Sequence, residues 1–326
     1  MKRVLYGIQG TGNGHLSRAR EVIPHLLEYA ELDLLVSGTQ ADIDLPHPVQ
    51  RRHYGLSYAI GKEGTIDLLG TLRSMRPYEL LRDIKDLKLN EYDLVISDFE
   101  PITSWAGRLQ GVPVVGLSHQ ASFLSEKSPR PEYGNILAEG IFRYYAPCTK
   151  AIGFHFESYD HFIRKPIIRS EVRALKPSTQ EHITVYLPAY RADYLKQIFH
   201  HIREVRWEIF SRDADGDLID GNVRIRRINS HDYLESLQGC LGLLTGGGFE
   251  APSEAIFLGK LLMVVPMEMQ YEQQCNAVAL RRMGVSTLHK ISHDQVSALR
   301  YWLKSQKTIH IPYENETANL VKELIA

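Results

Sequence analysis

Apolar and polar positions alternate in two regimes along the chain: short apolar runs, and longer stretches with helical spacing. Val4 to Ile8 reads as a buried strand, followed by a loop, Gly10-Thr11-Gly12-Asn13-Gly14-His15. A helix is expected from about Leu16 to Ala30, with Ala19, Val22, Ile23, Leu26 and Leu27 on one face and a kink at Pro24. Leu32 to Ser37 is a second strand, and Ile66 to Leu89 a helical region broken near Arg76-Pro77. Leu94 to Ser97 is a strand ending at Asp98. A helix over Ile102 to Leu109 leads to strand Val114 to Leu117, which ends at Ser118-His119-Gln120. From Ala121 to Lys150 the pattern blurs, and Ala151 to Phe154 closes the set. Strands alternating with helices imply a parallel sheet covered on both faces.

The pattern restarts after a charged, proline-bounded stretch, Arg164 to Ser178, which reads as a linker. Strands are expected at Ile183–Leu187, Trp207–Phe210, Val223–Ile228, Leu241–Leu244 and Leu261–Val265. Helices are expected at Ala192–Ile202, His231–Leu237, Ser253–Leu258, Glu272–Met283, Gln295–Lys304 and Glu314–Ile325. Gly259 and Gly284 stand where helix C-caps favour glycine. The fold class is α/β, as two doubly wound domains, residues 1–165 and 166–326, with the last helix free to pack back on the first. At 326 residues the chain exceeds what one core ordinarily supports. Two such domains face each other across a cleft, and ligands bind at the carboxyl ends of the strands.

Composition narrows the function classes. A net charge of −1 lacks the basic footprint of a nucleic-acid protein. Three scattered cysteines, Cys148, Cys240 and Cys275, form no C-x-x-C, so neither a disulfide framework nor a zinc site is expected. The start of the chain lacks a secretory apolar region, and no apolar run approaches the roughly 18 residues of a membrane span. The expectation is a cytoplasmic protein, at most peripheral to the inner face of a membrane. Nothing in the pattern sets an oligomeric state.

Two loops carry chemistry. In Leu243-Leu244-Thr245-Gly246-Gly247-Gly248-Phe249-Glu250 an apolar run meets three glycines and then a helix. Glycines there let the backbone approach a ligand closely and adopt positive φ, and the helix start directs free N–H groups at the gap. A phosphate is the natural occupant. The first loop fails as a dinucleotide fingerprint, because His15 occupies the third-glycine place and strand two ends in Val36-Ser37-Gly38 without an acidic residue. It is no P-loop either. It presents one imidazole at a helix start, where a histidine can also merely cap the helix. Asp98 ends a strand at the same sheet edge. A carboxylate there holds an imidazole in one tautomer, as a general base on a hydroxyl requires; alternatively it caps the next helix.

These residues carry a family resemblance. Gly12-Asn13-Gly14-His15, Gly246-Gly247-Gly248 with Ser253-Glu254, and Pro266 followed by Glu272-Gln273-x-x-Asn276-Ala277 resemble nucleotide-sugar glycosyltransferases of the GT-B fold. The resemblance is to the MurG-like and UDP-glucuronosyltransferase-like group, within it to a prokaryotic MurG-like subgroup. It spans both halves and is most specific from Ile228 to Gly284. It implies that Gly246, Gly247 and Gly248 bind the donor diphosphate, with Glu254 on the ribose and Ile228 beside the nucleobase. It also implies that Glu272 and Gln273 read the sugar and that Arg169 reaches the nucleotide. His15 is then the acceptor's base, helped by Asp98; in the MurG branch the glycine-histidine loop instead serves the acceptor's diphosphate. Gly12, Asn13, Gly14 and His119 fall on the acceptor side.

The implied reaction is inverting transfer from a nucleoside-diphosphate donor of the UDP type to a hydroxyl acceptor, lipid-linked or glycan. It needs no metal and no cofactor. The chain departs from MurG-like enzymes at Pro188-Ala189-Tyr190, where they carry a glycine-serine phosphate loop. Asp213-Ala214-Asp215-Gly216-Asp217 looks like a metal loop but lacks a calcium loop's twelfth-position glutamate, and reads as an acidic surface turn. The aromatic and basic residues between Ser122 and Tyr145 suit either ordinary packing or an anionic lipid surface. Rival readings are a UDP-sugar epimerase on the same fold and an inactive nucleotide-sugar sensor.

Overall fold

The computed structural model describes residues 1–38, 45–55, 59–60, 66–67 and 76–326. Strand β1 (Lys2–Gln9) pairs with β2 (Ala30–Ser37), which pairs with β3 (Arg51–His53). A separate antiparallel pair joins β4 (Ala59–Ile60) to β5 (Ile66–Asp67). On its other side β1 meets β6 (Leu94–Asp98), and β7 (Val114–Ser118), β8 (Lys150–Phe154) and β9 (Ile163–Arg164) follow. The order is β3-β2-β1-β6-β7-β8-β9, parallel throughout.

The second sheet contains β10 (His182–Tyr186), β11 (Arg206–Ser211), β12 (Leu218–Asp220) and β13 (Val223–Arg227). It is completed by β14 (Gly242–Gly246), β15 (Leu261–Val265) and β16 (Ser286–Thr287), in the order β12-β13-β11-β10-β14-β15-β16. Only β12 runs antiparallel among these pairings. In each sheet the winding reverses beside its first strand, at β1 and at β10, which is where α/β sheets open a crevice for ligands. The segment after β1 leads to His15 in the first turn of the next helix, and the triple glycine begins at the end of β14, next to β10.

Period-two alternation sorts each strand between two cores. Val4, Tyr6 and Ile8 point into one large cluster, while Leu5 joins an outer cluster with Ile84, Leu89, Ile102 and Val114. In β15, Leu262 and Val264 enter the same large cluster, whereas Leu261, Met263 and Val265 face outward with Trp207 and Trp302. The large cluster therefore takes side chains from both sheets. Helices Asn13–Leu27 and Glu250–Phe257 lie in it. So does the last helix, Thr317–Ile325, whose Leu320, Val321 and Leu324 share it with Val22 and Leu26. Lys2 Nζ donates to the Ile325 carbonyl, and Arg164 pairs with Glu323 at 2.9 Å. A smaller cluster of Phe123, Phe142, Tyr271 and Cys275 fills a second part of the seam.

Several expected boundaries move. The first helix runs through Pro24 but stops at Leu27, because Ala30 already pairs with Lys2. Of the helical region from Ile66 to Leu89, Ile66–Asp67 is strand and the helix is Pro77–Asp86, with proline in its first turn where no N–H is needed. Residues 68–75 lie outside the described residues. The blurred stretch contains a 3₁₀ turn, Gln120–Leu124, and a helix, Ile136–Tyr144, capped by the Asn135 side chain. The expected linker holds a short helix, Ser170–Arg173. Strand β12 escaped notice because all three of its residues are exposed and no face is marked as apolar.

Candidate active site

His15 stands in the first turn of helix Asn13–Leu27, after Gly12 in extended backbone. Asp98 ends β6, the neighbour of β1, so topology alone brings the two to one sheet edge. His15 Nδ1 lies 2.7 Å from Asp98 Oδ1. The carboxylate is fully buried and also accepts from Arg18, through Nε at 2.9 Å and a terminal nitrogen at 2.7 Å. Burial pushes the Asp98 carboxyl up, but Arg18 and then His15 outweigh it and hold it below its ordinary value. A second Arg18 contact reaches His15 Nδ1 at 3.2 Å. The Asp98 carboxylate only accepts, so Nδ1 is assigned as N–H toward it at 2.7 Å and the longer Arg18 approach is a contact rather than a hydrogen bond, which leaves the Nε2 lone pair facing outward. Nε2 has no hydrogen-bond partner among the described residues.

The capping role open to Asp98 belongs to Glu100. Its buried carboxylate accepts from the amides of Ile102 and Thr103 and from the hydroxyls of Ser37 and Thr103. Between the two acids, Phe99 takes φ of +53°, a left-handed turn uncommon for a bulky residue. That turn lets two acids two positions apart serve different partners, one the imidazole and the other the helix start.

The triple-glycine loop brings a third acid. Glu250 opens helix Glu250–Phe257 and accepts from Arg18 at 2.9 Å, across the seam between the sheets. A Cβ on Gly14 would meet Glu250 Cγ at 3.2 Å, so glycine there gives this side chain its room. Burial raises the Glu250 carboxyl to about 7 against the opposing pull of Arg18, with Glu254 and Asp98 adding to the rise. One turn further, Glu254 is held bidentate by Arg169, through Nε at 2.5 Å and a terminal nitrogen at 2.9 Å. Both oxygens keep lone pairs for further donors. Ile228 follows β13 and is half-buried just before helix Ser230–Gly239.

The expectation that the three glycines adopt positive φ is corrected: none of Gly246, Gly247 or Gly248 does. Close approach explains them instead. A Cβ on Gly247 would lie 2.7 Å from the Gln273 carbonyl oxygen, whereas one on Gly248 would meet nothing within 4 Å. Gly247 is glycine for the protein's own packing, and Gly248 leaves open space. Gly12 likewise borders open space.

Helix Tyr271–Met283 grips that loop. Gln273 Oε1 accepts from the amides of Gly247 at 3.1 Å and Met267 at 3.0 Å. Asn276 Nδ2 donates to the Gly247 carbonyl at 3.1 Å. Gln273 is thus turned onto the backbone rather than outward. Glu272 accepts from Gln120 at 2.9 Å across the seam. His119, expected on the acceptor side, lies at the seam between the sheets. Its Nδ1 meets the Phe154 carbonyl at 2.7 Å and its Nε2 meets Asn276 Oδ1 at 2.9 Å. Its ring stacks on Phe249 at 4.0 Å, so neither nitrogen is left for an acceptor.

A family model described as glycosyl transferase family 1 matches residues 2–305. The chain belongs to that family. The transferase matches no curated protein, but its fold is shared with solved GT-B glycosyltransferases. Acinetobacter baumannii MurG aligns at 14% identity and a TM-score of 0.60, over 99% of this chain and 95% of that one. Arabidopsis thaliana UGT89C1, solved with UDP, aligns at 12% identity and a TM-score of 0.62, over 100% of each chain. Spinosyn forosaminyltransferase SpnP aligns at 15% identity and a TM-score of 0.60, over 99% and 94%.

Sequence reasoning missed Arg18 and the part played by Glu250 in this transferase. The available signal was Arg18 lying three residues after His15, on the same helical face, within a helix that is otherwise buried there. The acidic turn is structural: Asp213 faces the Ala192 amide and Asp217 pairs with Arg224 at 2.6 Å. Among the described residues His231, Asp232 and Glu235 approach metal-ligand spacing, on an exposed helix start that holds no second sign of a ligand. No helix among the described residues is long and apolar enough to cross a membrane.

Proposed function

We propose that this family member is an inverting glycosyltransferase that moves a sugar from a UDP-type donor to an acceptor hydroxyl. The observation that carries the reading is the His15–Asp98 contact of 2.7 Å, with the imidazole's other nitrogen unpartnered among the described residues. Nε2 takes the acceptor's proton, Asp98 stabilises the resulting imidazolium, and the oxygen attacks the anomeric carbon as the diphosphate leaves. Gly248 and the start of helix Glu250–Phe257 receive that diphosphate, stabilising charge as it develops. Glu254 takes the ribose hydroxyls on its remaining lone pairs, and Arg169 offers the donors that Glu254 leaves free. Ile228 lies beside the nucleobase, and Glu272 reads the sugar while Gln273 holds the glycine loop for it. No metal or cofactor takes part in this scheme.

Residues 1–165 form the acceptor half and residues 166–326 the donor half. Ile136 and Leu137 are 90% and 83% exposed, and Tyr133, Ile141 and Tyr144 extend this apolar surface beside Arg143. Such a surface supports an acceptor presented at the inner face of a membrane, with the protein peripheral to it.

A thermal-shift screen of nucleotides and nucleotide sugars identifies the donor, because a ligand of the native state raises its apparent stability. Transfer is then followed as UDP release with candidate acceptors. Epimerisation of a UDP-sugar without acceptor, or full turnover by His15→Ala, overturns the transferase scheme.

A further inference from the structure

His15 is not served by Asp98 alone. Asp98 on β6 and Arg18 on its own helix touch it, and Glu250, on the helix that follows the triple glycine, reaches it through Arg18 at 2.9 Å. Tyr6 on β1 is buried beside Asp98 and Arg18, and the Arg169–Glu254 pair stands behind Glu250. Arg18 is only 3% exposed and donates to both acids. Its charge is therefore divided between the two halves of the site.

Charge counting gives the arrangement a purpose. With His15 protonated and Glu250 ionised, the group of His15, Arg18, Asp98 and Glu250 holds two cations and two anions. Without Glu250 it holds two cations against one anion, and an imidazolium beside Arg18 is disfavoured. Resting on the reading of His15 as the base, we propose that Glu250 and Arg18 are positioning residues with opposite effects. The carboxylate on the donor-side helix raises the proton affinity of His15, and the guanidinium lowers it.

The consequence for the reaction is a coupling between closure and chemistry. Glu250 reaches Arg18 only when the donor sheet lies against the acceptor sheet. Separation of the two returns Arg18 to Asp98 alone and weakens the base. The imidazole is then strongest as a proton acceptor when the donor helix is in place. The Glu250 carboxyl, raised to about 7, lets the same contact respond to pH near neutrality.

The test needs no acceptor. The Cε1–H resonance of His15, assigned by its loss in His15→Gln, is titrated by NMR in the full-length protein and in two variants. Glu250→Gln should lower the titration midpoint, and Arg18→Gln should raise it. A full unit charge ~7 Å away, at an effective dielectric of about 40 for this partly exposed site, corresponds to about one pH unit, which is the upper limit of the shift because Glu250 is only partly ionised near neutrality. A structural disturbance alone would not move the two midpoints in opposite directions. Glu250 is partly exposed, so its variant keeps the test available if Arg18→Gln fails to fold. A Glu250→Gln midpoint within 0.3 unit of wild type, about a twofold change in proton affinity, or an upward shift, overturns the proposal. Failure of the base reading shows separately, as retained turnover in His15→Ala.

Discussion

Asp98→Asn separates the two duties of one buried carboxylate. It keeps the volume of the side chain but removes the anion that receives Arg18 twice and His15 once. Arg18 is 3% exposed, and stripping one partner from a buried pair costs about 3–5 kcal/mol. Glu250 stays on the guanidinium at 2.9 Å, which places the loss at the lower end, about 3 kcal/mol. At ~2–4 °C per kcal/mol the melting temperature falls by about 6–12 °C. The catalytic loss has a different origin. An amide donating to Nδ1 moves the imidazole proton to Nε2, which then cannot accept from the acceptor, and turnover falls by about 10²–10⁴. Scanning calorimetry reads the first effect, and UDP release with the donor and acceptor that wild type uses reads the second. The sign with pH follows from the direction of the shift. Because Asp98 is held below its ordinary value, its stabilisation is present above the usual carboxylate range and disappears as pH falls below about 4. The gap between wild type and variant should close on acidification. Equal melting temperatures at pH 7, or turnover equal to wild type in the folded variant, would refute this account.

Further outcomes follow from the same contacts. Gly247→Ala should lower the melting temperature by overpacking worth about 1–3 kcal/mol, since its Cβ would sit 2.7 Å from the Gln273 carbonyl oxygen. Gly248→Ala should melt like wild type yet bind UDP about tenfold more weakly in calorimetry; unchanged affinity would remove Gly248 from the donor site. Asn276→Ala leaves the Gly247 carbonyl and a His119 nitrogen buried without their partner, costing about 1–3 kcal/mol by denaturant titration. Glu250 is raised from 4.5 to about 7, so its contribution to stability is full below pH 4.5 and lost as pH rises through 7. Glu250→Gln should lack that slope in melting temperature against pH.

Much of this architecture was legible because buried strands announce themselves. Val4 to Ile8 and Leu261 to Val265 are apolar throughout, and their alternation feeds two cores, a pattern that parallel sheets impose. Where burial stops, legibility stops too, as at exposed β12 and at helix Ile136–Tyr144, where Ile136, Leu137, Ile141 and Tyr144 face outward. In the site, a histidine after one strand and an aspartate ending its neighbour pointed to each other through topology. Arg18 and Glu250 did not, because charged residues on helices are usually solvated, and only the seam removes these from water. Gln273 and Asn276 lie three positions apart on one helical face, where a sugar reader and a loop clamp look alike in sequence terms. Only coordinates show both amides spent on Gly247.

The chain crosses between the two sheets twice, once after β9 and again where it returns to the last helix, which lies against the helix bearing His15. Two strands of covalent chain side by side resist twisting far more than bending. The Arg164–Glu323 pair at 2.9 Å lies beside both crossings, so separating the sheets must deform two chain segments rather than one. The Arg18–Glu250 contact at 2.9 Å spans the same seam, so the helix bearing His15 is tied to the second sheet by a side-chain bridge as well as by covalent chain.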